Sequence, residues 1–306
     1  MRIATFNLQN LKLLKSADGP QLHGAWDSDA PEETGLDAID RRLTAEVLAT
    51  IDADLLALQE VYDLATLEHF YQRFMLPAGL RPYPERICLP GNDGRGLDLA
   101  LLSRRPLAEL RSHAALTLDD FDIAPPPGVD PLAPVFRRDC LMATAGQLTL
   151  FLCHFKSPYP DVATAWTTRR LEALAVRRLI ERYFEAPAAG LWLIVGDLNE
   201  PHGALPGAER AIAPLENGFT VNLMERLPAS ERWTYFDVHS GRYDCPDALL
   251  ASPALAHVFP QAVPVILRAG LGREARRDTS ARLSGVGSHR PHASDHAAVM
   301  IDLPGL

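Results

Sequence analysis

Leu191-Trp192-Leu193-Ile194-Val195 is a run of five apolar residues that stops on Gly196-Asp197-Leu198-Asn199. Such a run reads as a strand buried on both faces. Polar groups at the mouth of such a strand are fixed beside a dry wall, where a pocket can form. Where the strand stops, Asp197 and Asn199 lie two residues apart and share one side of an extended backbone. Taken alone, Gly-Asp-Leu-Asn is an ordinary turn, because these residues bond their own backbone. Other strands in the chain end in the same kind of chemistry, and that changes the reading.

Residues 3–8 form a short strand carrying Asn7, and residues 54–60 form one that ends on Glu60. Residues 98–103 open on Asp98. Residues 136–144 and 148–154 read as a hairpin turning at Gly146 and ending at His154, with Lys156 just beyond. The last strand, 297–303, is preceded by Asp295-His296. Helical spacing appears over 35–51, 65–75 and 164–184. Polar loops are expected through Thr34, over 117–134 and over 270–294. Short strands are expected between 233 and 250, and a further strand over 258–267. Some strands are joined by tight turns and others by helices, so the sheets are mixed and flanked by helices rather than purely parallel. No GxGxxG or P-loop pattern is present, so nucleotide-cradling folds lose their main signature. With 306 residues, 47% of them hydrophobic, and no low-complexity linker, one domain over 1–306 is the simplest organisation.

The net charge of −9 excludes a generally basic surface. A bound divalent cation can still reverse the sign of the potential locally. A basic rim would draw on Arg137, Arg138, Lys156, Arg169 and Arg170, each of which is by default a solvated surface charge. The four cysteines (Cys88, Cys140, Cys153, Cys245) form no CxxC pair, which fits a reducing compartment. The chain starts as a strand without a signal-peptide core, and no apolar run is long enough to span a membrane. A cytoplasmic protein with no obligate protein partner is expected.

The polar residues at strand ends are Asn7, Glu60, His154, Lys156, Asp197, Asn199, Asp247, Asp295 and His296. Any one of them is most often a cap or a turn residue. As a set they supply oxygen donors and imidazoles without a cysteine ligand, which suits Mg²⁺ or Mn²⁺ better than zinc. Histidines beside carboxylates suit proton transfer near neutral pH. Lys and Asn suit an anion. Together they describe metal-assisted hydrolysis of a phosphate ester.

Thr5-Phe6-Asn7, Leu58-Gln59-Glu60, His154-Phe155-Lys156-Ser157, Gly196-Asp197-Leu198-Asn199 and Ser294-Asp295-His296 resemble, in order and over nearly the whole chain, the motifs of the endonuclease/exonuclease/phosphatase superfamily. The resemblance implies an α/β (α+β) fold, a four-layer α/β/β/α sandwich of two packed mixed β-sheets with helices outside. It implies hydrolysis of a phosphodiester or phosphomonoester with Mg²⁺ (or Mn²⁺). Carried over by position, Asn7, Glu60 and Asp295 hold the metal, and His296 is the general base or polarises the phosphate. Asp197 and Asn199 orient the nucleophile and hold the scissile phosphate, and His154 is an acid or phosphate ligand. Asp247 partners His296, with Asp244 as its competitor. Lys156, Arg138 and Asp98 are placed on the substrate side, Asp98 being either a buttress for His154 or a strand-start carboxylate.

His289 and His292 read better as solvated loop histidines, and Tyr159 and Trp166 as packing against the following helix rather than stacking on a base. The expected substrate is a phosphodiester, most readily in nucleic acid. A sphingomyelinase-like or small-molecule phosphoesterase, and a catalytically inactive binding module of the same fold, are the alternatives.

Overall fold

The computed structural model describes residues 1–16, 19–27, 31–201 and 209–306. Its strands assemble into two six-stranded sheets. The first has the order Val265–Leu267, Ala298–Asp302, Arg2–Leu11, Leu55–Val61, Asp98–Ser103, Glu85–Leu89. The second has the order Val221–Asn222, Asp247–Ala251, Trp192–Asp197, Leu148–His154, Cys140–Ala145, Leu107–Arg111. Each sheet holds one parallel pair, Arg2–Leu11 with Leu55–Val61 and Leu148–His154 with Trp192–Asp197; the other neighbours are antiparallel. Parallel neighbours need a crossover, and the chain uses a long helix for each, Asp37–Ile51 and Val162–Tyr183.

Strand side chains alternate between faces, so every central strand feeds two cores. Ile3, Leu55, Ala57, Leu99 and Leu101 face Leu150, Leu152, Leu193, Val195 and Leu249 between the sheets. On the outer face of the first sheet, Phe6, Leu56, Leu58 and Leu102 pack under Leu43, Val47 and Leu48 of the Asp37–Ile51 helix. On the outer face of the second, Met142, Phe151, Trp192 and Ile194 pack under Leu171, Val176 and Ile180 of the Val162–Tyr183 helix. The result is the expected four-layer sandwich. Among the described residues, no helix is long and apolar enough to cross a membrane.

Several peripheral elements differ from expectation. The polar loop after residue 8 contains the hairpin Leu13–Ser16 with Gly19–Leu22. The strands Glu85–Leu89 and Leu107–Arg111 were not anticipated, because as sheet edges they carry mixed exposure and no clean apolar run. The strand expected over 258–267 shrinks to Val265–Leu267. Of its upstream part only Val258 joins a helix, Pro253–Val258, where Ser252 Oγ accepts the Leu255 N–H at 3.1 Å and Pro253 occupies the first turn; residues 259–264 are turn and loop. Residues 65–75 divide into an α-helix, Leu64–Phe70, and a π-helical turn, Tyr71–Met75.

Candidate active site

The period of two that builds the inter-sheet core also builds the site. Along the inner face, Ile3 leads through Thr5 to Asn7, Leu150 and Leu152 lead to His154, Leu193 and Val195 to Asp197, and Leu249 to Asp247. The four rows end where the two sheets open, so their last members become polar walls of one cleft. Glu60 has the wrong parity for this, since Leu56 and Leu58 face the outer core. It reaches the cleft through a β-bulge: its φ is 63°, and the strand slips register between Gln59 and Val61. A left-handed non-glycine residue costs about 1–3 kcal/mol and persists where its surroundings hold it. Here the Asn10 N–H donates to Glu60 Oε2 at 2.9 Å.

Asn7, Glu60, His154, Asp197, Asn199, Asp295 and His296 line a cleft of about 970 Å³. Asn7 Nδ2 donates to Asp197 Oδ2 at 3.1 Å and to Glu60 Oε1 at 3.3 Å, stitching the two sheets together. His296 Nδ1 lies 2.9 Å from Asp247 Oδ2. Because a carboxylate can only accept, Nδ1 carries the hydrogen and Nε2 is left facing Asp197 Oδ2 at 3.8 Å. Thr234 Oγ1 donates to the same Asp247 oxygen at 2.6 Å, which fixes that carboxylate. Asp244 lines the cleft instead. His154 Nε2 approaches Asp197 Oδ2 at 3.5 Å. Asn199 donates its N–H to Asp197 Oδ1 at 2.8 Å and its amide to Phe155 O at 3.1 Å. Gly196 has a φ of 134°, and a Cβ there would lie 1.9 Å from Cys153 O, so only glycine lets the neighbouring strands carry Asp197 and His154 this close.

The environments push these groups apart. Burial raises the Asp197 carboxyl to about 6, against the opposing pull of His296. Burial also raises Asp295, to about 7. Burial works against a charge on His296, yet Asp247, Asp295 and Asp197 outweigh it and lift the imidazole well above its ordinary value. His154 moves the other way, held down by burial and by Arg138, His296, Arg95 and Lys156.

The three residues placed on the substrate side fare differently. Arg138 lines the cleft, buried, with Nη1 donating to Phe155 O at 3.0 Å and Nε beside Asp93 at 3.1 Å. Lys156 is turned back onto its own loop, where Nζ meets Ser157 O at 3.0 Å and Tyr159 O; it lies past the end of the strand and outside the alternation that aims His154. Asp98 accepts the Gly91 N–H at 2.9 Å and serves as the strand-start carboxylate, tying down the loop that precedes it. His292, expected in solvent, is buried and bonded to Gln9 Oε1 and Ala25 O. Arg169, expected on a solvated face, is buried against Glu200. Tyr159, expected to pack, is 79% exposed on the cleft rim, while Trp166 bonds Glu209 O.

Asp27, Tyr62, Arg95 and Tyr235 also line the cleft and were not singled out from sequence. They sit in loops or short hairpins without periodicity; only the closeness of Tyr62 to Glu60 was a signal. The Tyr235 ring lies 5.0 Å from that of His296.

The donor chemistry fits a hard cation. Glu60, Asp27, Asp295 and Asp197 line the cleft; burial raises the last three, and beside burial Glu60 raises Asp27 while Asp27 and Glu60 raise Asp295, a carboxylate repulsion that a cation would relieve. Among the described residues, no three His, Cys, Asp or Glu side chains are grouped to hold an ion by themselves.

The model of the Endonuclease/Exonuclease/phosphatase family matches residues 4–296, and the chain belongs to that family, whose members typically depend on a divalent metal. No curated protein matches the chain in sequence. Among solved structures, a family protein from Leptotrichia buccalis superposes with a TM-score of 0.60 at 11% identity, covering 99% of this chain and 98% of the other. An AP endonuclease from Archaeoglobus fulgidus gives 0.58 at 13% identity, covering 99% of each chain. A mannosyl-6-phosphatase from Bacteroides thetaiotaomicron gives 0.57 at 16% identity, covering 99% of this chain and 98% of the other. At these identities the likeness is one of fold.

Proposed function

We propose that this member of the endonuclease/exonuclease/phosphatase family hydrolyses a phosphodiester of nucleic acid, with Mg²⁺ or Mn²⁺ held by Glu60, Asn7 and Asp295. The observation that carries the reading is the pairing of Asp247-held His296 with Asp197 across 3.8 Å, their proton affinities pushed in useful directions. A cation held there would supply positive charge to the phosphoryl oxygens. Asp197, raised towards neutrality but still mostly ionised at pH 7, orients a water and takes its proton as the water oxygen bonds to phosphorus; the ester P–O bond breaks and the leaving oxygen takes a proton from solvent. His296, charged at that pH, donates from Nε2 to a non-bridging oxygen and stabilises charge as it builds in the transition state. Asn199 fixes the Asp197 carboxylate through its N–H, and neutral His154 stands beside the same carboxylate as a further hydrogen-bonding group.

The rim favours a nucleotide chain over a lipid. Lys12, Arg95 and Arg242 provide cations around the cleft, Lys12 lying 4.7 Å over the half-buried Tyr62 ring and Arg95 paired with Asp93, and Tyr159 provides an exposed ring. Cations that meet phosphates and exposed rings that meet unstacked bases are what a single-stranded substrate needs. The test is hydrolysis of bis(p-nitrophenyl) phosphate with Mg²⁺ or Mn²⁺ against EDTA, followed by labelled single- and double-stranded DNA, RNA, sphingomyelin and sugar phosphates. Turnover of the synthetic diester with none of the nucleic acids would move the substrate to a lipid or small ester. Absence of metal-dependent turnover on every substrate would leave only the binding-module reading.

A further inference from the structure

Behind the carboxylate wall lies a buried cluster of charges. Asp40 and Arg41 of the Asp37–Ile51 helix are both 0% exposed. Arg41 donates Nε–H to His23 O at 2.6 Å, Nη1 to Leu8 O at 2.6 Å, and Nη2 to Gln9 O at 2.7 Å and Gly24 O at 2.6 Å. All four acceptors are main-chain carbonyls. Asp40 in turn accepts the N–H groups of Ala25 and His292, both at 3.0 Å, and pairs with Arg290. Burying a guanidinium is expensive, and an apolar side chain of similar size commonly stabilises such a position as well or better. The charge therefore calls for a reason beyond filling space.

The carbonyls that Arg41 holds supply it. Leu8 and Gln9 directly follow Asn7, and Gln9 and Asn10 both take left-handed backbone, with φ of 47° and 57°. Two such residues in succession persist where their surroundings over-determine them. The segment so fixed reaches both sides of the metal wall: the Asn10 N–H donates to Glu60 Oε2 at 2.9 Å, and Gln9 Oε1 accepts the Asp295 N–H at 3.1 Å. His292 Nε2 sits 3.0 Å from Gln9 Oε1 and 2.6 Å from Ala25 O, two acceptors, so it carries the hydrogen and locks the Gln9 amide.

We infer that Arg41 is a positioning residue for the carboxylate wall, fixing Glu60 through Asn10 and Asp295 through Gln9 so that the two can receive a divalent cation. This rests on the metal reading proposed above. The experiment titrates metal-free protein with Mn²⁺, by calorimetry and by the free-Mn²⁺ electron paramagnetic resonance signal, in the wild type, Arg41→Lys and Gln9→Met. Arg41→Lys keeps the charge and loses the four-way fork; Gln9→Met cuts only the link to Asp295 and His292. Both are expected to bind Mn²⁺ about 10–100-fold more weakly, to unfold cooperatively without metal, and to recover kcat at saturating metal. A folded Arg41→Lys with Mn²⁺ affinity within threefold of wild type would overturn the inference. If that variant does not fold, the same result for Gln9→Met overturns it. A wild type that binds no Mn²⁺ would instead overturn the metal reading, and the inference with it.

Discussion

Asp247→Asn isolates the charge on which the proposed chemistry depends. The substitution preserves shape: the retained oxygen can still accept from His296 Nδ1 and from Thr234, which now share Oδ2 at 2.9 and 2.6 Å. The new NH₂ replaces Oδ1, which is buried without a hydrogen-bond partner, so its cost in stability is about 1–3 kcal/mol. The electrostatic loss is larger. At 2.9 Å and an effective dielectric near 20, the gross attraction of the pair is roughly 6 kcal/mol, much of it offset by desolvation. With that attraction gone, the lift on His296 weakens against burial, and its hold on the proton falls. Loss of a charged donor to the transition state lowers rates by about 10²–10⁴-fold. The assay is kcat and KM on bis(p-nitrophenyl) phosphate at saturating Mg²⁺ from pH 5 to 9, with urea unfolding alongside. We expect kcat to fall by that factor with KM nearly unchanged, and the residual activity to move to lower pH, where His296 is again charged. A kcat within fivefold of wild type in a folded variant would refute the role given to the pair.

Gly196→Ala forces a Cβ to 1.9 Å from Cys153 O at a φ of 134°, so strain and overpacking together should cost roughly 2–6 kcal/mol in urea unfolding; a loss under 1 kcal/mol would contradict the account of that position. Asp98→Asn should leave turnover within twofold, because its carboxylate serves Gly91, and a fivefold drop in kcat would put it back behind His154. Burial raises the Asp98 carboxyl to about 6. The stability this group contributes is therefore complete at low pH and lost as pH rises through about 6, so the Asn variant should gain on wild type by up to roughly 3 kcal/mol between pH 4 and 7. Tyr159→Ala should raise KM for single-stranded oligonucleotides by about 5–150-fold, the worth of one base–ring stack, and leave double-stranded substrate less affected; equal KM values would remove Tyr159 from the substrate path.

Much of this was legible in the chain itself. Apolar runs at 191–195 and 98–103 read as buried strands, and alternation along the strands was enough to bring Asn7, His154, Asp197 and Asp247 to one end of the core. Those residues share a face with the apolar residues before or after them, so the force that buries Leu193 and Val195 also aims Asp197. What alternation cannot encode was decided by tertiary structure. Glu60 points into the cleft only because a bulge reverses its parity, and a bulge depends on the partner strands. Asp247 rather than Asp244 meets His296 because Thr234 and the strand register place it there. Lys156 and Tyr159 exchanged their expected places, since beyond the strand end no period governs where a side chain goes. His292 looked like a solvated loop histidine, and nothing in the sequence marked Arg41; their burial follows from segments distant in sequence closing over residues 8–9 and 23–25. Period-two burial is a local property that sequence carries. Charge networks are settled only when separate segments meet.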